Sequence, residues 1–153
     1  MKETLIINQE DLRDLAKKVS DILMEQHSTE KLTRARIILL WGDLGSGKTT
    51  FTKVLAEVLG IDSNDVHSPT FILKKSYNAY HEMFTKLIHI DAYRFNHPSE
   101  AKVLRLGDDL KNPQNLIVIE WPSKMNYIKP DVEITFKIID DYTREVTLSY
   151  DKE

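Results

Sequence analysis

The unbroken apolar run "RIILLW", residues 36–41, passes directly into "GDLGSGKTT" and then into a second apolar pattern at helical spacing. That order narrows the fold more than any other feature of the chain. A strand covered on both faces reads as a continuous apolar run rather than an alternating one. Downstream, Phe51, Val54, Leu55, Val58 and Leu59 recur at the spacing of one helix face, and Gly60 is a natural stop. Between strand and helix, Gly42, Gly45 and Gly47 supply backbone freedom, and Lys48 adds a positive charge.

The spacing is G-x-x-x-x-G-K-[ST], carried by Gly42, Gly47, Lys48 and Thr49. A polyphosphate needs several backbone N–H groups aimed at one point, and side chains would obstruct them. The helix that follows adds its N-terminal N–H groups and dipole. Lys48 then brings charge to the β- and γ-phosphates, Thr49 a hydroxyl for Mg²⁺, and Thr50 a contact to the α-phosphate. Gly42, Gly45 and Gly47 let the chain curl into such a nest.

The remaining chain predicts strands alternating with helices. "TLII" reads as a strand, and a helix is expected from Asn8, with Leu12, Leu15, Ala16, Val19, Ile22 and Leu23 on its buried face. "HSPTFILKKSYNAY" reads as a loop and a strand, "KLIHIDAYRF" as a strand ending near Asp91, and "NLIVIEW" as a strand ending in an acid. "PSEAKVLRLGDDL" suggests a short helix with Pro98 in its first turn. "DVEITFKIID" and "TREVTLSYD" predict two strands joined by the turn "DDY". The expectation is a single α/β domain over 1–153. It has a mainly parallel, P-loop NTPase-like sheet flanked by helices and an antiparallel C-terminal hairpin.

Two acids stand where a nucleotide site needs them. Asp91 and Glu120 each follow an apolar strand and emerge at the C-terminal edge of the sheet, where ligands of open α/β sheets bind. Either can hold Mg²⁺ or orient water, and the residues alone leave open which does which. Thr70, in "HSPTF", is a candidate γ-phosphate sensor in a switch-like loop. Trp121, beside Glu120, is a candidate lining residue. The five histidines show no i, i+4 ligand pair, which argues against zinc, and His89 reads as packed or hydrogen-bonded within its strand.

Composition excludes several classes. A net charge of -3 gives no global basic field for nucleic acid, and the absence of cysteine excludes disulfides and suits the cytosol. No apolar run approaches a membrane span, and "MKETLIINQEDL" has no signal-peptide core. No [NT]-K-x-D sequence follows the glycine loop, so ATP is expected rather than GTP. Beyond that loop the arginines are Arg94, Arg105 and Arg144, and no lid segment carries a pair, which counts against a small-molecule kinase.

Taken in order, "GDLGSGKTTF", "SPTF", "HIDAYRF" and "IEWPSK" resemble the TsaE (YjeE) family of small bacterial P-loop ATPases, from residue 5 to about 150. The resemblance implies a cytoplasmic role in making N6-threonylcarbamoyladenosine (t6A) at position 37 of tRNA. It implies a TsaD–TsaB pair as partner, with tRNA met indirectly, and ATP hydrolysis that supports repeated turnover. It further implies that Gly45 to Thr50 hold the phosphates and that Thr49 and Glu120 serve Mg²⁺. Thr70 and Asp91 complete the catalytic set, Arg144 approaches the nucleotide and Gln9 lies near the adenine. Two rival readings are a small-molecule kinase and a nucleotide-gated binding module with little need for hydrolysis.

Overall fold

The computed structural model describes residues 1–29, 33–67, 73–93, 97, 99, 104–125 and 128–151. Its centre is strand β2 (Arg36–Trp41), whose side chains are buried along nearly all its length. Strand β5 (Asn115–Glu120) pairs with it in parallel on one side and β6 (Val132–Ile138) on the other. Beyond β5 lies β4 (Lys86–Asp91), also parallel, and then β3 (Lys74–Asn78), antiparallel to β4. Beyond β6 lie β7 (Thr143–Tyr150) and β1 (Lys2–Asn8), both antiparallel to their neighbours. The order across the seven strands is β1-β7-β6-β2-β5-β4-β3. The α/β class and the C-terminal hairpin are as the sequence predicted. The sheet is parallel through its middle four strands and antiparallel toward both edges.

Two helices cover one face: α1 (Leu12–Thr29) and α2 (Lys48–Val58). All six stripe residues named for α1 are buried, as are Phe51, Leu55 and Leu59 from the second stripe. They meet Ile38, Leu40, Leu87, Leu116, Val118 and Ile134 from the sheet in one cluster. The opposite face collects Ile37, Leu39, Ile88, Ile90, Ile117 and Ile119 beneath Leu104, Leu106, Met125 and Ile128. Alternate residues of β4 and β5 therefore belong to opposite cores, and 87, 89 and 91 share the α2 side with 116, 118 and 120.

The start of α1 shows local chemistry at work. Asn8 Oδ1 accepts from the Asp11 backbone N–H (3.2 Å), and Asp11 Oδ2 accepts from the Asn8 N–H (3.0 Å). This reciprocal cap is made on a 3-10 turn, Gln9–Asp11, so the regular helix begins at Leu12 rather than at Asn8. The helix expected from Pro98 lies partly outside the described residues, and it does not run unbroken to its end. Arg105 sits at φ 52, in the left-handed region, and the described helix is a separate short α3 (Gly107–Lys111).

Candidate functional site

The C-terminal ends of β2, β4 and β5 reach one rim of the sheet, and the glycine turn curls over it from β2 into α2. The turn is closely fitted at its base. A Cβ on Gly42 would lie 2.5 Å from Ser46 Oγ and 2.6 Å from the Phe136 carbonyl oxygen, so no side chain fits there. Gly45 meets no neighbour, but its φ of 77 is one that L residues rarely adopt. The hydroxyl of Ser46 is buried and has no hydrogen-bond partner among the described residues. Ser46 therefore offers the cavity backbone rather than side chain.

A cavity of ≈ 920 Å³ opens against this turn. Gly45, Ser46, Gly47, Lys48, Thr49 and Thr50 line it from the loop and α2, and Asp91, Glu120 and Trp121 line it from the sheet edge. Gln9, with Asn8 and Glu10, forms another wall, and Asp141, Tyr142 and Arg144 come from the hairpin. Gly42 shapes the turn from below without lining the cavity. Thr70, the proposed phosphate sensor, lies outside the described residues.

The polar groups on the floor hold one another. Lys48 Nζ donates to the carbonyl oxygens of Gly42 (2.5 Å) and Asp43 (3.0 Å) and lies 4.0 Å from the centre of the Trp121 ring. Burial pushes the Lys48 ammonium below its ordinary value of 10.5, while the charges of Glu120, Asp91 and Asp43 pull it back up. Thr49 Oγ1 donates to the Glu120 carboxylate, 3.0 Å from Oε1 and 3.2 Å from Oε2. Asp91 is buried beside it, paired in register with Glu120, and its Oδ1 accepts from the Tyr93 backbone N–H at 2.9 Å.

A hydroxyl and two carboxylates are hard oxygen donors of the kind Mg²⁺ takes, usually alongside phosphate oxygens and water. Among the described residues no group of three or more His, Cys, Asp or Glu could cage a metal by itself. The donor set fits an ion that arrives with a phosphate ligand.

The structure adds contacts that the sequence reading did not name. His89 is completely buried and its Nε2 lies 2.5 Å from Glu120 Oε2. The signal was available: residues 89 and 91 are two apart in one strand and so share a face with 120. The turn "DDY" read only as a connection, yet Asp141 and Tyr142 reach the cavity rim. Arg144 lines the cavity, but its hydrogen bonds go to the loop. Nε donates to the Ser46 carbonyl (3.1 Å), Nη2 to that of Gly45 (3.1 Å), and Nη1 to those of Asp140 (2.6 Å) and Thr143 (3.0 Å).

A mixed α/β sheet whose central strand runs through a Walker-type turn into a helix, with acids on the next strand ends, defines the broad class of this protein. More narrowly, the chain belongs to the TsaE family. The family described as "Threonylcarbamoyl adenosine biosynthesis protein TsaE" matches residues 6–146. The resemblance carried by the four motifs is therefore correct.

Two relatives, each named "tRNA threonylcarbamoyladenosine biosynthesis protein TsaE", illustrate the match. The one from Haemophilus influenzae is 37% identical over 122 residues, 80% of this chain and 72% of that protein. The one from Aquifex aeolicus is 31% identical over 150 residues, 97% of this chain and 96% of that protein. Among solved structures, the crystal structure of YdiB from Bacillus subtilis superposes with a TM-score of 0.62 at 29% identity, over 97% of this chain and 86% of that one. No helix among the described residues is long and apolar enough to cross a membrane.

Proposed function

We propose that this chain binds ATP with Mg²⁺ in the cavity beneath the glycine turn and hydrolyses it in support of t6A formation on tRNA. In this reading it acts in the cytoplasm beside a TsaD–TsaB pair that carries out the transfer. The observation that carries the reading is the floor of the site. Lys48, Thr49, Glu120 and Asp91 converge at the mouth of one strand–turn–helix unit, beside a cavity large enough for a nucleotide.

Within that reading each group has a task. The backbone from Gly45 to Thr50 and the Lys48 ammonium offset charge on the phosphates, including the charge that builds on the leaving oxygen of ADP as its bond to the transferred phosphoryl group breaks. Lys48 must leave the Gly42 and Asp43 carbonyls to reach a phosphate, which exchanges two neutral acceptors for an anionic one. Thr49 turns a hydroxyl lone pair outward while its hydrogen stays with Glu120. Thr49 and Glu120 would hold Mg²⁺, which would supply positive charge against the phosphates. Asp91 and Glu120 supply the carboxylates that orient the attacking water and the metal's water shell. Arg144 is engaged by loop carbonyls, so it is poorly placed to stabilise the leaving phosphate. Hydrolysis by this chain alone is accordingly slow, and faster with its partners docked.

Multiple-turnover modification of tRNA by the TsaD–TsaB pair tests the proposal, with and without this protein, and with ATP or a non-hydrolysable analogue. Sustained t6A formation that needs both this chain and hydrolysable ATP is expected. Full turnover with the analogue would favour the nucleotide-gated binding module. Phosphorylation of a small acceptor in place of phosphate release would favour the kinase.

A further inference from the structure

We propose that His89 is a positioning residue of this site: its imidazole fixes the Glu120 carboxylate so that Glu120 can aim Thr49 at Mg²⁺. The proposal rests on the ATP·Mg²⁺ reading above and adds a residue that the four sequence motifs left without a role.

His89 occupies a place where an aliphatic side chain would be expected. It lies within β4 between Ile88 and Ile90, completely buried, on the face that packs toward α2. Burying an imidazole is unfavourable unless its polar atoms are bonded. Among the described residues Nε2 has one partner, Glu120 Oε2 at 2.5 Å, whereas Nδ1 is buried with none. A residue kept for packing alone would be better served by leucine, with no orphaned nitrogen. The bond to Glu120 is what the histidine adds.

That bond acts on a carboxylate with two duties. Glu120 is almost fully buried, and its oxygens also accept from Thr49 Oγ1 at 3.0 and 3.2 Å. An ionised carboxylate only accepts, so the contact assigns a hydrogen to Nε2, pointing at Oε2. An Nε2–H donor on one side and the Thr49 hydroxyl on the other fix the plane of the carboxylate. With its hydrogen so directed, the Thr49 oxygen presents its lone pairs to the cavity. His89 thus reaches the metal through Glu120 and Thr49 and touches neither nucleotide nor metal. A direct partner of a metal ligand typically changes metal affinity by about 10- to 100-fold, and His89, one bond further out, is expected at the lower end of that range.

Calorimetric titration with ADP, once in EDTA and once in Mg²⁺, separates this role from packing. The set is the wild-type chain, His89→Leu, His89→Gln and His89→Asn, each with a thermal unfolding curve. Glutamine places its amide nitrogen near the position of Nε2, whereas asparagine reaches only as far as Nδ1.

The gain in affinity on adding Mg²⁺ is expected to fall about 10-fold in His89→Leu and His89→Asn. It should stay within about twofold of wild type in His89→Gln, and affinities in EDTA should agree across the set to the same margin. If His89→Leu does not fold, the asparagine–glutamine pair carries the comparison. An undiminished Mg²⁺ gain in His89→Asn, or an equal loss with and without Mg²⁺, overturns the positioning role. If the wild-type chain binds no ADP in either buffer, the nucleotide site itself is wrong and the role of His89 falls with it.

Discussion

At the start of β2, Asp131 accepts hydrogen bonds from Arg34, from Arg36 and from the Ile37 backbone N–H. At the end of the same strand, Lys48, Glu120 and Asp91 stand on the floor of a cavity. Both ends bury charge, yet they dispose of it differently. The Asp131 carboxylate takes four hydrogen bonds at 2.8 to 3.0 Å, all from the protein, and ties β2 to the chain entering β6. At the other end Lys48 leans on two carbonyls and an aromatic ring, while three acids surround it. A buried carboxylate taken up by donors of the chain does structural work, even though Nε and Nη2 of the buried Arg36 find no partner among the described residues. A charge held by exchangeable partners beside a cavity is available for a ligand.

Substitutions can break or sharpen that contrast. The largest effect is expected for Lys48→Ala, which should lower ATP hydrolysis by about a thousandfold while leaving the thermal transition near its wild-type position. Phosphate release and melting curves on the same sample check both halves, and unimpaired hydrolysis would make this end of β2 as inert as the other. Asp131→Ala is the converse. It strands Arg36, which is buried, and should cost about 3 kcal/mol in denaturant unfolding, with ADP affinity of the folded protein unchanged. A variant that loses affinity but not stability would erase the distinction between the two ends.

Arg144→Ala should weaken ADP binding about tenfold by releasing the Gly45 and Ser46 carbonyls. Arg144→Lys should recover little of this, since an ammonium lacks the fork that spans both. Calorimetry of the two variants tells a loop brace from a simple charge.

The smallest effect follows from Lys48 titration. Its pKa is lowered by burial, so between that value and 10.5 the unfolded chain binds the proton more tightly than the folded one. The penalty is complete below that window and disappears above it. Lys48→Met should therefore melt higher than wild type at neutral pH, and the difference should shrink as pH climbs toward 10.5. A constant difference across that range would place the lysine in a wetter setting.

What the sequence revealed and what it hid divide along the range of the interactions. β2, the glycine turn, α2 and the α1 stripe were legible because each is a repeating or contiguous pattern. The acids Asp91 and Glu120 were legible because a strand end announces itself. Arg144 was named only through the family resemblance, and its brace on the glycine turn stayed hidden, because its guanidinium meets carbonyls that lie 98 and 99 residues away in sequence. The place of β1 beside β7 is hidden for the same reason, since an isolated "TLII" names no partner strand. His89 is intermediate. Its face was calculable from Asp91, but its contact with Glu120 requires β4 and β5 to be neighbours in a known register.

The pairing of β1 with β7 has a consequence for synthesis. These strands precede and follow all the other elements described, and they are matched from Lys2 with Ser149 through Asn8 with Thr143. Asn8, Gln9 and Glu10, one side of the cavity, hang from the end of that ladder. A ribosome releases the glycine turn and α2 well before it releases the strand that holds this side in place. The nascent chain therefore carries an open half-cavity, which closes only once the hairpin has emerged and β1 has found β7.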